Sequence, residues 1–268
     1  ACLAFQGIVS IGVVYAFYIA PFDLRVTHVE VALPGLARPV RVAQVSDLHL
    51  ERTTRREAAL LAALERERAD LIVLTGDYLN LAFQDDPRAV QEARALLGQL
   101  RAPLGVYAVA GNVDTPEDLR ALFSGLPIEL LEDRVREVPP LYLVGVSDRG
   151  RARDGEVLRR LMSAVPEGVP AVLLYHNPDL IEVAAEEGVV LYLAGHTHGG
   201  QVRLPIYGAF VTLSAYGKRF EAGLYRVGPT ALYVSRGIGM EGFWFTPRVR
   251  LFCPPELVVL DLVPAVVQ

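Results

Sequence analysis

Five short apolar runs in this chain each stop on a polar residue that has a lone pair to offer. Val40 to Ser46 leads into Asp47-Leu48-His49, Leu71-Ile72-Val73-Leu74 into Gly76-Asp77, and Gly105 to Ala110 into Gly111-Asn112. Val169 to Tyr175 leads into His176, and Val189 to Ala194 into Gly195-His196-Thr197-His198. Between the first runs, Thr53 or Thr54 can cap a helix reaching about Arg68, with Ala58, Leu61, Ala62 and Leu64 on one face. A second helix is predicted from about Asp86 to Arg101. Strand, helix, strand, helix, strand is the pattern of an α/β chain with a parallel sheet covered on both faces. Ligands gather outside the carboxyl ends of such strands, so Asp47, Asp77, Asn112, His176 and His196 share one rim.

The remainder extends the pattern. Leu24 to Leu36 alternates as a strand ending at Pro34-Gly35, Pro116 to Phe123 reads as a short helix, and Pro139-Pro140 breaks a strand spanning Glu137 to Val146. Helices are predicted over Asp154 to Ala164 and Asp179 to Glu187. Beyond Gly195 turn residues are frequent, and strands are expected near Ala222 to Val227, Ala231 to Ser235 and Leu257 to Leu262. No repeat or linker interrupts residues 23–268, which read as one domain.

Ala1 to Phe22 carries no charged residue and is about the 20 residues needed to span a bilayer. The expectation is an uncleaved N-terminal anchor over residues 1–22 that places the protein at the cell membrane, with an export signal or a buried helix as alternatives. Asp23 and Arg25 nearly cancel, so the side of the membrane is open. A net charge of -5 argues against a phosphate-backbone binder. Cys2 and Cys253 are the only cysteines, which suggests neither a disulfide framework nor thiolate ligation. Oligomeric state is not readable.

Two Asp, one Asn and four His make seven ligands, which suit two metal ions better than one. Asp47 and His49, two apart at a strand's exit, can grip one ion, and His196 and His198 repeat the spacing. Imidazole and carboxylate together suit Mn, Zn or Fe. Asp77, whose carboxylate has two oxygens, is the natural bridge between ions. His28 lies on an early strand away from these motifs and reads as a surface or packing histidine.

In order and spacing, Asp47-Leu48-His49, Gly76-Asp77, Gly111-Asn112, His176 and Gly195-His196-Thr197-His198 resemble the calcineurin-like metallophosphoesterases over about Val40 to Leu262. The run GHTHGGQVRL, Gly195 to Leu204, is similar to a membrane-associated bacterial branch. The resemblance implies a four-layer αββα sandwich of two mixed sheets flanked by helices. It also implies a dinuclear centre: Asp47, His49, Asp77 and His198 on the first ion, Asp77, Asn112, His176 and His196 on the second. Asp77, Asn112 and His196 are the expected catalytic members, and hydroxide bridging the ions is the expected nucleophile. No substrate-binding residue can be named.

One position departs from the family pattern: Val113 stands where a proton-donating His follows the Asn. General acid catalysis typically contributes about 10²- to 10⁴-fold, so its loss hurts most with an alkoxide leaving group and tilts the expected substrate, a phosphodiester or pyrophosphate, toward a pyrophosphate or another activated phosphoester. Enzymes that split UDP-2,3-diacylglucosamine also resemble this chain in lacking that His, although they carry Arg there. Phe243-Trp244-Phe245 fits either a lipid-linked substrate or ordinary packing. Gly199-Gly200 allows close backbone approach or a tight turn, and Arg203, Lys218, Arg219 and Arg236 are cations available to a phosphate or to solvent. The competing reading is a degenerate, non-catalytic protein that keeps metal and binds a phosphorylated lipid.

Overall fold

Leu71-Ile72-Val73-Leu74 has no polar face, so it must be covered on both sides, and this requirement sets the layers. The computed structural model describes residues 2–242 and 248–265. In chain order its elements are α1 (Cys2–Val14), β1 (Arg25–Leu33), β2 (Val40–Val45), α2 (Arg55–Glu67), β3 (Leu71–Leu74), α3 (Pro87–Leu97) and β4 (Val106–Ala108). There follow α4 (Pro116–Phe123), β5 (Glu129–Leu130), β6 (Arg134–Val138), β7 (Leu141–Gly145), α5 (Arg151–Met162), β8 (Ala171–Leu174), α6 (Ile181–Glu186) and β9 (Leu191–Ala194). The last are β10 (Arg203–Leu204), β11 (Gly208–Ala209), β12 (Gly223–Val227), β13 (Thr230–Val234) and β14 (Glu256–Pro264).

The strands form two six-stranded mixed sheets, β1-β14-β2-β3-β4-β5 and β12-β13-β9-β8-β7-β6. Strands β2, β3 and β4 run parallel, as do β7, β8, β9 and β13, so all the ligand-bearing strands deliver their carboxyl ends to one rim. Val42, Val73, Leu143, Val172, Leu193 and Val258 belong to the core between the sheets. Leu60, Leu64, Ala93 and Leu97 of α2 and α3 cover the first sheet, and Leu158, Ile181 and Ala184 of α5 and α6 cover the second. This is the expected four-layer αββα arrangement. The parallel run expected from the strand-helix alternation is present as β2-β3-β4, and the first sheet becomes mixed where β14 joins it. β14 enters antiparallel to β2 and carries β1 parallel on its far side, a pairing of the chain's two ends that no local pattern announces.

Local signals placed most elements well. Thr54 caps α2: its hydroxyl accepts from Arg56 N at 3.2 Å, while Glu57 Oε2 accepts from Thr54 N at 2.8 Å. Asp86 caps α3 with Pro87 at its first turn. Pro139-Pro140 does end a strand, but β6 and β7 on either side pair as an antiparallel hairpin.

The membrane anchor is a correction. Helix α1 has 13 residues, an axial length of about 20 Å, against roughly 30 Å of hydrocarbon. The winding then changes: Tyr15–Ile19 forms a π-helical turn and Ala20–Phe22 a 3₁₀ turn with Pro21 inside. Among the described residues no helix is long and apolar enough to cross a membrane. The end of the segment packs on the body instead. Ala16, Ala20 and Pro21 are buried, Ala16 O accepts from Arg250 N at 3.1 Å, and Arg55 lies over the Phe22 ring at 4.3 Å.

Candidate functional site

The backbone at the rim is folded back on itself. Asp47, His49, Asp77, His196 and His198 all adopt positive φ, from 37° to 67°. Such conformations are uncommon away from glycine and cluster at functional sites. Here they turn each side chain off its strand and toward the gap between the sheets. The turns are held by neighbours: Asp47 N donates to Gly76 O at 3.0 Å, His49 N to Asp77 O at 3.0 Å, and Gly195 N to His176 O at 2.8 Å. His196 N donates across the gap to Asp47 Oδ1 at 3.0 Å. Gly111 and Gly195 admit the crowding, since a Cβ on the first would overlap Asp77 Oδ1 and on the second Asp47 Oδ2.

All seven residues singled out in the sequence meet there. Asp77 Oδ2 lies 3.4 Å from His49 Nε2 and 3.2 Å from His176 Nε2. Asp47 Oδ1 lies 3.4 Å from His198 Nε2 and 3.9 Å from His176 Nε2, so Asp47 also reaches toward both halves. His49 Nε2 and His198 Nε2 are 3.1 Å apart, and His196 Nδ1 is 2.8 Å from Asn112 Oδ1. Asp47, His49 and His198 form one group able to hold a metal ion, and Asp47, Asp77 and His176 a second. The donor chemistry fits a cation: lone-pair atoms converge, and Asp47 Oδ2 and His176 Nε2 are buried without a hydrogen-bond partner. His28 is separate, half-exposed on β1 with Glu67 Oε2 at 3.4 Å.

The electrostatics follow from burial. Desolvation alone would depress His49, but Glu241, Asp77 and Asp47 outweigh it and raise its pKa above the ordinary imidazole value. Burial likewise opposes a rise at His176, where Asp77 and Asp47 prevail. Burial, His49 and Arg250 push His198 down, and burial with His176 lowers His196. Burial works against Asp77 too, yet His176 and His49 hold its carboxyl below the usual carboxylate range.

Several supporting residues escaped the sequence reading. Asp114 takes hydrogen bonds from Asp77 N at 2.8 Å, Gly111 N at 2.8 Å and Tyr78 N at 3.2 Å, clamping two ligand-bearing turns. Burial and the Asp77 charge push it up to about 6. Glu241 Oε2 lies 2.8 Å from His49 Nδ1, on the ring side away from the cluster. His176 Nδ1 meets Thr75 O at 2.7 Å, an orienting contact of the same kind. Arg250 is wholly buried and gives its guanidinium to Arg236 O, Gly237 O, Gly239 O and Cys253 O. That fixes the 236–239 loop, whose Gly239 N donates to Asp47 O. Asp114 could have been noticed beside Gly111-Asn112, whereas Glu241 and Arg250 have no local signature.

The other sequence candidates resolve in packing terms. Val113 is half-buried, and its N donates to Asp77 Oδ1 at 3.3 Å; the isopropyl group has no proton to give. A Cβ at Gly199 would crowd Cys253 Sγ and Arg236 Cγ, so close packing explains that glycine. Arg203 pairs with Glu221 at 2.9 Å and Arg236 with Glu256 at 2.8 Å, which leaves Lys218 and Arg219 the more exposed cations of the four. Phe243-Trp244-Phe245 lies outside the described residues.

Comparison with known proteins agrees with this geometry. Residues 40–200 match the family model of the calcineurin-like phosphoesterases. Phosphodiesterase YaeI of Escherichia coli is 30% identical over 95% of this chain and 94% of its own. The UDP-2,3-diacylglucosamine pyrophosphatase LpxG of Chlamydia muridarum is 25% identical over 92% of each. The crystal structure of TT1561 from Thermus thermophilus superposes with a TM-score of 0.51 over 74% of this chain and 90% of that one, at 12% identity, a likeness of fold. With the strand-end ligands in place and the family matched across both sheets, the chain belongs to the calcineurin-like phosphoesterases, hydrolases that act on phosphoester bonds.

Proposed function

We propose that this hydrolase is a dinuclear metal enzyme, with Asp47, His49, Asp77 and His198 on one ion and Asp77, Asn112, His176 and His196 on the other. The observation that carries the assignment is the position of Asp77 Oδ2 between His49 Nε2 and His176 Nε2, as a shared ligand requires. Two bound divalent ions would supply Lewis acidity toward water and the phosphoryl oxygens. The protein's own part is to hold the ligands. Asp114 and Glu241 fix their turns and rings, and the half-exposed His196 and exposed Asn112 leave one side open to substrate.

The substrate we infer is a phosphodiester or pyrophosphate whose leaving group departs without a proton, because Val113 cannot donate one. The LpxG similarity favours a lipid-linked pyrophosphate of the UDP-2,3-diacylglucosamine kind. The intact ligand set weighs against a non-catalytic phospholipid binder. With added Mn, the protein is expected to hydrolyse bis-p-nitrophenyl phosphate and to release UMP from UDP-2,3-diacylglucosamine. Asp77→Asn and His196→Ala should each abolish both activities. Turnover that survives both changes would overturn the metal assignment; diester cleavage without UMP release would overturn the substrate alone.

A further inference from the structure

The hairpin β10–β11 and the loop after it expose Leu204, Ile206, Tyr207, Phe210, Val211 and Leu213 within ten residues. Ile206 at the turn is fully exposed, and Leu213 is 66% exposed. Between Leu204 and Val211 the Tyr207 hydroxyl is the only polar side-chain group. A folded chain tolerates single apolar residues in water, but a run of this kind marks an interaction surface.

Charge indicates what the surface meets. From Val189 to Phe220 there is no Asp or Glu, in a chain of net charge -5, while Arg203, Lys218 and Arg219 lie in the same stretch. Glu221, the first acid beyond it, is buried and pairs with Arg203 and Lys218 from the body side. Lys218 is the only lysine in the sequence. Its Nζ sits 3.6 Å above the Tyr207 ring and donates to Tyr207 O at 2.5 Å, so the ammonium is held just behind the apolar turn. Tyr207 and Phe210 rings lie 5.5 Å apart. An aromatic and aliphatic tip that carries no carboxylate and has cations behind it matches the layering of an anionic lipid surface, hydrocarbon beyond phosphate.

We propose that this hairpin inserts into the headgroup region of an anionic lipid surface and docks the enzyme there. The hairpin is fastened to the body, with Arg203 N donating to Leu251 O and Leu251 N to Gln201 O, both at 2.9 Å. At its other end Leu213 O lies 3.4 Å from His196 Nε2. Docking therefore brings the lipid surface to the open edge of the ligand cluster. The inference does not depend on which phosphoester bond is cut, and its test needs no turnover.

The full chain with Trp244→Phe, which removes the only tryptophan, can carry Ile206→Trp as a reporter. Phe210→Trp provides a second reporter should the first perturb the turn. Expected with phosphatidylglycerol vesicles are a blue-shifted emission and quenching by brominated acyl chains, both much weaker with phosphatidylcholine. Neutralising both cations, Lys218→Gln with Arg219→Gln, should weaken vesicle binding on the order of 30-fold. Emission from both reporters unchanged by phosphatidylglycerol, even if the protein sediments with the vesicles, would overturn the proposal, since the tip would then remain in water.

Discussion

Asp47, His49 and His198 are buried, whereas Asn112 is exposed and His196 half-buried, although two carboxylates, Asp47 and Asp77, lie near both sides. The buried side is walled by the 236–239 loop, Glu241 and the clamp of Arg250. The open side borders Val113 and the backbone of Leu213. A site built this way separates two demands. One ion can be held by rigid, desolvated ligands, while the other stays accessible to substrate and solvent.

The residue proposed to bridge the two halves should show the largest effect. Asp77→Ala is expected to lower kcat on a diester by on the order of 10³-fold or more, since metal stabilisation is worth several kcal/mol. Metal analysis should find both ions depleted. If one full equivalent remains, Asp77 serves a single half. Asn112→Ala removes a proposed ligand of the open half alone, and a loss of roughly 10²-fold is expected, smaller than at Asp77 because only one ion's stabilisation is weakened. Excess Mn should restore part of it. Loss of both ions in this variant would erase the distinction between the halves.

The same division explains what the sequence could show. The seven candidate ligands were legible because they sit at the ends of apolar runs, and the common direction of the parallel strands within each sheet then brings those ends together. Their left-handed backbones were not legible, as nothing in Asp47-Leu48-His49 alone demands them. Glu241 reaches His49 only through the fold, so no spacing rule finds it. The β10–β11 hairpin has two-residue strands, too short for any periodicity. The pairing of β1 with β14 joins opposite ends of the chain. For residues 1–22, composition reported apolarity faithfully but said nothing of how the segment winds, which changes to a π turn at Tyr15 and a 3₁₀ turn around Pro21.

Glu241 offers a sharper test of the buried half. Glu241→Gln keeps an acceptor for His49 Nδ1 and removes only the charge. Affinity for the tighter ion should fall by about 10- to 100-fold, as for other outer partners of ligating histidines, while the weaker ion's affinity holds. Equilibrium dialysis against Mn separates the two. If instead the weaker ion responds, His49 belongs to the exchangeable half.

Smallest of all should be an effect on the wall of the buried half rather than on its ligands. Thr54 stands at the start of α2 beside a cavity of about 260 Å³ that is also lined by His49, Glu51, Arg56 and Met240. Its hydroxyl and Glu57 satisfy the first free N–H groups of the helix reciprocally. Thr54→Ala removes that cap, at a typical cost near 1 kcal/mol. Because α2 holds no ligand, the change should lower the unfolding midpoint in denaturant and leave kcat and metal affinity within about twofold. If metal affinity falls tenfold at full occupancy of the folded state, the buried half depends on the helix cap for its shape. Its rigidity would then come from α2 as well as from the 236–239 loop.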